Sequence, residues 1–160
     1  MCGILGFVTE KPKNVKKFGE FTKALFAETE SRGRDASGFA SIYFDKKRKC
    51  PMVSTGKGPV KAKRFVEISK ELPVQFSKGN RPMLFIGHTR AATSGHPSNN
   101  KNNHPHVSRD KKLWLVHNGI ATGSELEDHV KEKERGSQCD TELIIRTIEK
   151  AKTMKKGCER

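Results

Sequence analysis

Apolar positions along this chain fall into short runs separated by polar and charged stretches. The first, CGILGFV at 2–8, is continuous and reads as a strand buried on both faces. Asn14 is placed to cap a helix reaching about Ser31. Val15, Phe18, Phe21, Leu25 and Phe26 would form its apolar face, and Gly33 would stop it. SGFASIYF alternates through Phe39, Ile42 and Phe44. A charged turn and CPMVST follow, predicting a hairpin. Residues 59–72 carry Val60, Phe65, Val66, Ile68 and Leu72 at helical spacing. PMLFIGH reads as a second buried strand and LWLVHNG as a third. Between them lies a His- and Asn-rich loop, roughly 90–111, long enough to suggest a functional or disordered segment. SELEDHVKEKE and DTELIIRTIEKAK are predicted helices, with Ser124 and Thr141 near their starts. The order of strand, helix, hairpin, helix, strands and helices predicts an α+β sandwich rather than an alternating parallel sheet.

Composition narrows this picture. The 160 residues suit one domain spanning 1–160 with a single core, and no internal repeat is visible. Apolar residues make up 33% and charged residues 31%, but nine Phe and the aliphatic clusters argue against wholesale disorder. Cys2, Cys50, Cys139 and Cys158 lie far apart without a CxxC pair, which speaks against a disulfide framework or zinc ribbon. No apolar run approaches the ~20 residues that span a bilayer, and no secretory signal is evident. The expectation is a soluble protein of a reducing cytoplasm. The formal net charge of +14 raises nucleic acid or an acidic protein as partners. The basic clusters at 45–49, 61–64 and 131–135 and the basic tail 152–160 are scattered, however, and carry no recognisable nucleic-acid motif. Solvated surface charge is the simpler reading.

Cys2 changes the question from fold to chemistry. If Met1 is removed, this residue carries a thiol and a free α-amine together. Thiols with pKa ~8.5 are mostly protonated at neutral pH, and only the thiolate is a nucleophile. A free α-amine titrates near ~7.7–8.0 and can accept that proton, so no histidine base is required. Alone, a second-position cysteine is more often a buried strand residue. Further polar segments sit at the ends of predicted elements: SRGRDASGF (31–39), GHTRAATSGHPS (87–98), NNHPH (102–106), LVHNGI (115–120) and CDTELI (139–144). Each has a dull explanation singly.

Together and in this order they resemble the glutaminase domain of class II glutamine amidotransferases, the N-terminal-nucleophile type. The resemblance is nearest to the hexosamine-phosphate synthase (glutamine–fructose-6-phosphate aminotransferase) branch. That branch shares MCGI, RG-x-DS-x-G, HTRWATHG-x-P, N-x-HPH, VHNGI and a DTE segment, and the match runs from Cys2 to about Ile144. The resemblance implies an αββα four-layer sandwich and no cofactor or metal. It implies that Cys2 attacks the side-chain amide of L-glutamine, forming a thioester and releasing ammonia. Asn118 and Gly119 would form the oxyanion hole. Arg90 would hold the substrate carboxylate and Asp140 its α-ammonium. Thr93 and Gly95 would line the glutamine loop, Arg32 would steady the N-terminal strand, and Asp35 is read as structural.

The pattern also departs from that branch. Ala91 stands where it carries tryptophan, Ser94 where it has histidine, and Ala36 where it has serine. The chain also stops soon after the DTE helix, which predicts a short or incomplete sandwich without a synthase domain. Ammonia would then pass to a separate synthase chain, and an open sheet edge would invite self-association. The competing reading is a catalytically weak glutaminase-like binding or regulatory module, associating with nucleic acid or an acidic partner. Hydrolysis of another amide is the nearby variant. Metal hydrolysis by His88, His96, His104, His106 and His117 is disfavoured, because HPH spacing alone does not supply three or four convergent ligands.

Overall fold

The computed structural model describes residues 1–10, 14–121, 130–131 and 134–151. The predicted helix at 124–134 falls largely outside the described residues, and the basic tail 152–160 wholly so. In chain order the elements are β1 (Gly3–Val8), α1 (Val15–Thr29), β2 (Ala36–Asp45), β3 (Cys50–Gly58), α2 (Ala62–Ile68), β4 (Arg81–Arg90), β5 (His106–Val107), β6 (Trp114–Leu115) and α3 (Thr141–Lys150). Single 3-10 turns occupy Glu30–Arg32, Val74–Phe76 and Asn100–Asn102. The architecture is α+β. β1, β4, β2 and β3 form an antiparallel sheet in that order, and β5 pairs with β6.

Local chemistry sets the element boundaries. The Asn14 side chain accepts a hydrogen bond from Lys17 N at 2.9 Å, satisfying a free donor at the start of α1. In the hairpin turn, Asp45 Oδ1 accepts from Lys47 N and Arg48 N, which reverses the chain into β3. Asp140 Oδ1 accepts from Thr141 N at 2.8 Å and opens α3. The helix predicted over 59–72 shortens to Ala62–Ile68.

One face of the four-stranded sheet carries the core. Leu5, Phe39 and Phe85 point toward α1 and α2, where Phe26, Ala62 and Phe65, with Leu72 just after α2, complete the cluster. The Phe85 ring stacks on Phe7 at 5.2 Å and on Phe39 at 5.5 Å, while Phe26 meets it edge-on at 6.0 Å. Phe21 is 52% exposed and lies off this face. At about 100° per residue it sits roughly 140° around α1 from Phe26.

The opposite face differs from expectation. β1 is buried on one side only. Gly3 and Leu5 are buried, whereas Ile4 and Val8 are exposed. Its outward positions have no covering layer among the described residues. The predicted third buried strand contracts to Trp114–Leu115, both half-buried. Trp114 lines a cleft of about 270 Å³ with Ile42, Val53, Leu84 and Ile86. The loop at 90–111 is packed into the fold. Asn102 to His106 are all buried, and β5 and the Asn100–Asn102 turn lie within it. This segment lies directly on β2, where a Cβ on Gly38 would fall 2.1 Å from the His104 carbonyl oxygen. α3 packs beside β5.

Candidate active site

The sheet register brings the start of β1 beside the end of β4. Gly3 pairs with Thr89, and Ala36 of β2 pairs with Arg90. Cys2 therefore emerges next to Ala91, half-buried. Ala91 N donates to Cys2 Sγ at 3.4 Å, and the thiol reaches Ala91 O at 3.5 Å. Cys2 N donates to Asn118 Oδ1 at 3.0 Å, a contact spanning 116 residues. Arg32 Nε donates to Cys2 O at 3.1 Å. Sulfur, amide nitrogen and carbonyl of one residue are thus each held by a different segment. Met1 is 84% exposed, so the bond preceding Cys2 projects into solvent.

The polypeptide after β4 is pinned from several sides. Asp35 N donates to Arg90 O at 2.9 Å, and Asp35 Oδ2 accepts from Ala92 N at 2.7 Å. Gly33 lies against the same stretch, where a Cβ would meet Thr89 O at 2.4 Å and Ala91 N at 2.7 Å. Arg90 is only 2% exposed. Its Nη1 donates to Asn103 Oδ1 at 3.0 Å, and its Nη2 donates to the Ser94 and Gly95 carbonyls. Gly95 has φ +75°, and a side chain there would collide with Asn102. Asn102 Nδ2 donates to His96 O and its Oδ1 accepts from Gln138 N, while Asn103 Nδ2 donates to Pro97 O. The two asparagines thereby fold the 93–97 turn around the guanidinium.

Behind this turn lies a layer of histidines. His88 Nε2 is 3.0 Å from His117 O, His104 Nε2 is 2.9 Å from Thr141 Oγ1, and His117 Nδ1 is 3.3 Å from the same hydroxyl. The His88 and His104 rings lie 4.0 Å apart, and His106 meets His104 edge-on at 4.9 Å. Burial pushes His88 down to about 4 and His106 to about 3, and it moves His104 in the same direction. Lys57 of β3 donates to the Asn103 and Pro105 carbonyls, and burial lowers its pKa to about 8. The His88–His117 contact fixes the backbone immediately before Asn118. Beyond that turn, Asp140 Oδ2 accepts from Ala121 N at 2.7 Å. Asp140 thus caps α3 with one oxygen and anchors the chain after Asn118 and Gly119 with the other.

No family model matches the chain. Curated relatives do. Over 163 residues, covering 99% of this chain and 25% of the relative, it is 34% identical to the glutamine–fructose-6-phosphate aminotransferase (isomerizing) of Sulfurisphaera tokodaii. The enzyme of the same name from Sulfolobus acidocaldarius is also 34% identical, over 162 residues and the same shares. That of Clostridium perfringens is 32% identical over 152 residues, covering 93% of this chain and 22% of the relative. The chain is similar to the glutaminase domain of class II glutamine amidotransferases. It spans about a quarter of the length of the relatives it matches, and the similarity extends beyond the motifs that end near Ile144.

With that relationship established, the expected site residues fall into two groups. Cys2, Asn118 and Arg32 are directly joined, with exposed Gly119 next along the chain. Arg90 and Gly95 form a second group with Asn103, and exposed Thr93 sits on the intervening turn. Asp140 belongs to neither by hydrogen bonding; its carboxylate holds Ala121 and Thr141. Three features of the arrangement were not anticipated: the Ala91 amide on the sulfur, the asparagine pair around Arg90, and the His88 contact behind Asn118; for Asp35, read as structural, the particular backbone it holds, Ala92, was not named. Asp35, His88, Asn102 and Asn103 all lay within the quoted motifs, so a signal existed for those four. The amide of Ala91 is available whatever side chain follows, and the alanine there leaves it unchanged. No helix among the described residues is long and apolar enough to cross a membrane.

Proposed function

We propose that this chain is a glutaminase module of the glutamine amidotransferase type. It hydrolyses the side-chain amide of L-glutamine to glutamate and ammonia, using Cys2 freed of Met1. The observation that carries this reading is the junction at Cys2, where Asn118 Oδ1 holds the nitrogen and the Ala91 amide points at the sulfur. Once that nitrogen is a terminal amine, it takes the thiol proton. The sulfur attacks the amide carbon, and the amine returns the proton to the departing ammonia, leaving a thioester. Water then attacks the thioester, the amine accepts its proton, and glutamate leaves with the thiol restored.

The remaining roles follow from side-chain chemistry. With its Oδ1 facing Cys2 N, Asn118 has its Nδ2 donors on the far side, available with Gly119 N for the developing oxyanion. Arg90 takes the substrate carboxylate as the 93–97 turn opens and its Nη2 exchanges the Ser94 and Gly95 carbonyls for the ligand, and Asp140 offers a carboxylate for the ammonium. The helix–sheet–sheet–helix layering inferred for the family is supported by α1 and α2 on one face of the large sheet and Trp114 of β6 on the other, with α3 beside β5. Ammonia released here passes on to a synthase unit.

Purified protein is tested for Met1 loss by intact mass and for glutamate release from glutamine, with Cys2→Ala as control. Turnover that vanishes in the control is expected. Absence of turnover in Met1-free protein, with or without a candidate synthase, refutes the enzyme. Glutamine binding without turnover would instead favour a sensing module.

A further inference from the structure

We propose that His104, His106 and Cys139 form a buried site for a d10 cation of the zinc class, clamping the 104–106 loop to the start of α3. All three residues are at least 95% buried, and one ligand atom from each lies within 4.8 Å of the others. His104 Nε2 is committed to Thr141, which leaves Nδ1. That Nδ1 and His106 Nε2 are both buried without a hydrogen-bond partner. A buried ring nitrogen left unpaired is costly, and two around one thiol point to something that binds them together. The Cys139 sulfur lies 3.6 Å from Asp140 Oδ1 and is approached by the hydroxyl and amide of Thr141, donors that a thiolate on a metal can keep.

The donor set selects the ion. One thiolate with two neutral imidazoles matches borderline-soft zinc rather than calcium or magnesium, which prefer oxygen. Zinc holds sulfur at about 2.3 Å and nitrogen at about 2.0–2.1 Å, so tetrahedral ligands sit roughly 3.4–3.6 Å apart. The three side chains need to close by about 1 Å. On binding, the Cys139 thiol releases its proton to solvent and sulfur bonds to the metal. A fourth position remains for water. The surrounding charge is mixed: Lys57 and Arg90 oppose a cation, while the thiolate, Asp140 and Glu142 favour it. Sequence spacing cannot reveal this site, because Cys139 is 33 residues beyond His106.

The site is independent of the glutaminase reading, and so is its test. Protein freed of metal with EDTA is titrated with zinc against a chromophoric chelator, and its Tm is followed. Cobalt is substituted in parallel to read thiolate-to-metal absorption. One equivalent of zinc and a Tm that rises with zinc concentration are expected. Cys139→Ser should weaken zinc binding at least tenfold, while Cys50→Ser should leave it unchanged. Because Cys139→Ser could unfold the protein, a variant with serine at positions 2, 50 and 158 is also measured. This variant retains Cys139 as its sole cysteine and should keep both the cobalt–thiolate absorption and the zinc-dependent Tm. Loss of either signal in that variant, or a wild-type Tm indifferent to zinc, overturns the site.

Discussion

Gly33→Ala separates close packing from backbone preference. Gly33 has φ −162°, an extended conformation that alanine adopts freely, so the effect of the substitution is steric. The added carbon would lie 2.4 Å from Thr89 O, 2.5 Å from Arg90 C and 2.7 Å from Ala91 N. All three are backbone atoms, and ordinary contact begins near 3.4 Å. The end of β4 must therefore retreat by up to about 1 Å. Overpacking of this kind costs about 1–3 kcal/mol, which lowers Tm by roughly 3–10 °C in a domain of this size. The moving amide is the one that donates to Cys2 Sγ at 3.4 Å, and misplacement by about 1 Å costs on the order of 10²-fold in rate. Glutamate release and thermal unfolding are measured on Gly33→Ala alongside Gly19→Ala. Gly19 lies inside α1, where the nearest obstacle is the Phe76 ring at 3.1 Å. There the squeeze opposes a helix-propensity gain of about 1 kcal/mol, and activity should not change. Wild-type Tm and turnover in Gly33→Ala, or equal activity loss in both variants, would refute the reasoning.

Asn118→Ala should lower kcat by about 10²–10³ while Cys2 still reacts with an electrophilic glutamine analogue, since the oxyanion donor and the acceptor for Cys2 N are lost but the nucleophile remains; unchanged kcat would remove Asn118 from that role. Phe85→Ala removes the ring between Phe7 and Phe39 and should cost about 3–5 kcal/mol in denaturant unfolding; a loss below 1 kcal/mol would contradict the core described above. In EDTA, stability should fall between pH 6.5 and pH 4. His88 stays neutral in the fold down to about 4, whereas the unfolded chain takes up that proton near 6.5. The unfolded state binds more protons across this window, so His88 alone accounts for about 2 kcal/mol lost by pH 5. A denaturation midpoint that is flat from pH 7 to pH 5 would exclude a buried neutral His88.

What the sequence disclosed depended on whether a feature was periodic or assembled. α1 was legible because Asn14 and Gly33 punctuate a repeating apolar face. The β2–β3 hairpin was legible from alternation around a charged turn. Phe21 misled because aromatic character was counted without its angle around the helix. The Trp114 strand was overextended because apolar character does not guarantee a ladder partner. The 90–111 segment stood out by its length, but its burial was not legible. Asn102, Asn103, His104 and His106 are as polar as any loop, yet they are buried: Asn103 is paired with Arg90, Asn102 with Gln138 and His104 Nε2 with Thr141, while His104 Nδ1 and His106 Nε2 face the cluster with Cys139. Hydropathy cannot distinguish a solvated polar run from a satisfied buried one.

That buried polar layer explains how a short β1 can present a reactive residue at a defined position. An apolar layer beneath the site would fix spacing but not orientation, because packing contacts are non-directional. Hydrogen bonds at about 3 Å have direction. They run from the Asp140 carboxylate to Ala121, from His88 to the backbone before Asn118, and from Asn118 to Cys2. On the other side they run from Asn103 to Arg90, and from Asp35 to Ala92. Both sets converge on the β1–β4 junction, where Gly3 and Gly33 let backbones approach within the space of a missing methyl. Orientation at Cys2 therefore comes from segments distant in sequence. Asp35→Asn offers a weaker acceptor to Ala92 and should lower turnover by perturbing the Ala91 amide. Cys2 mass and Met1 removal should remain unchanged in that variant, and a turnover loss accompanied by retained Met1 would place the defect in processing instead.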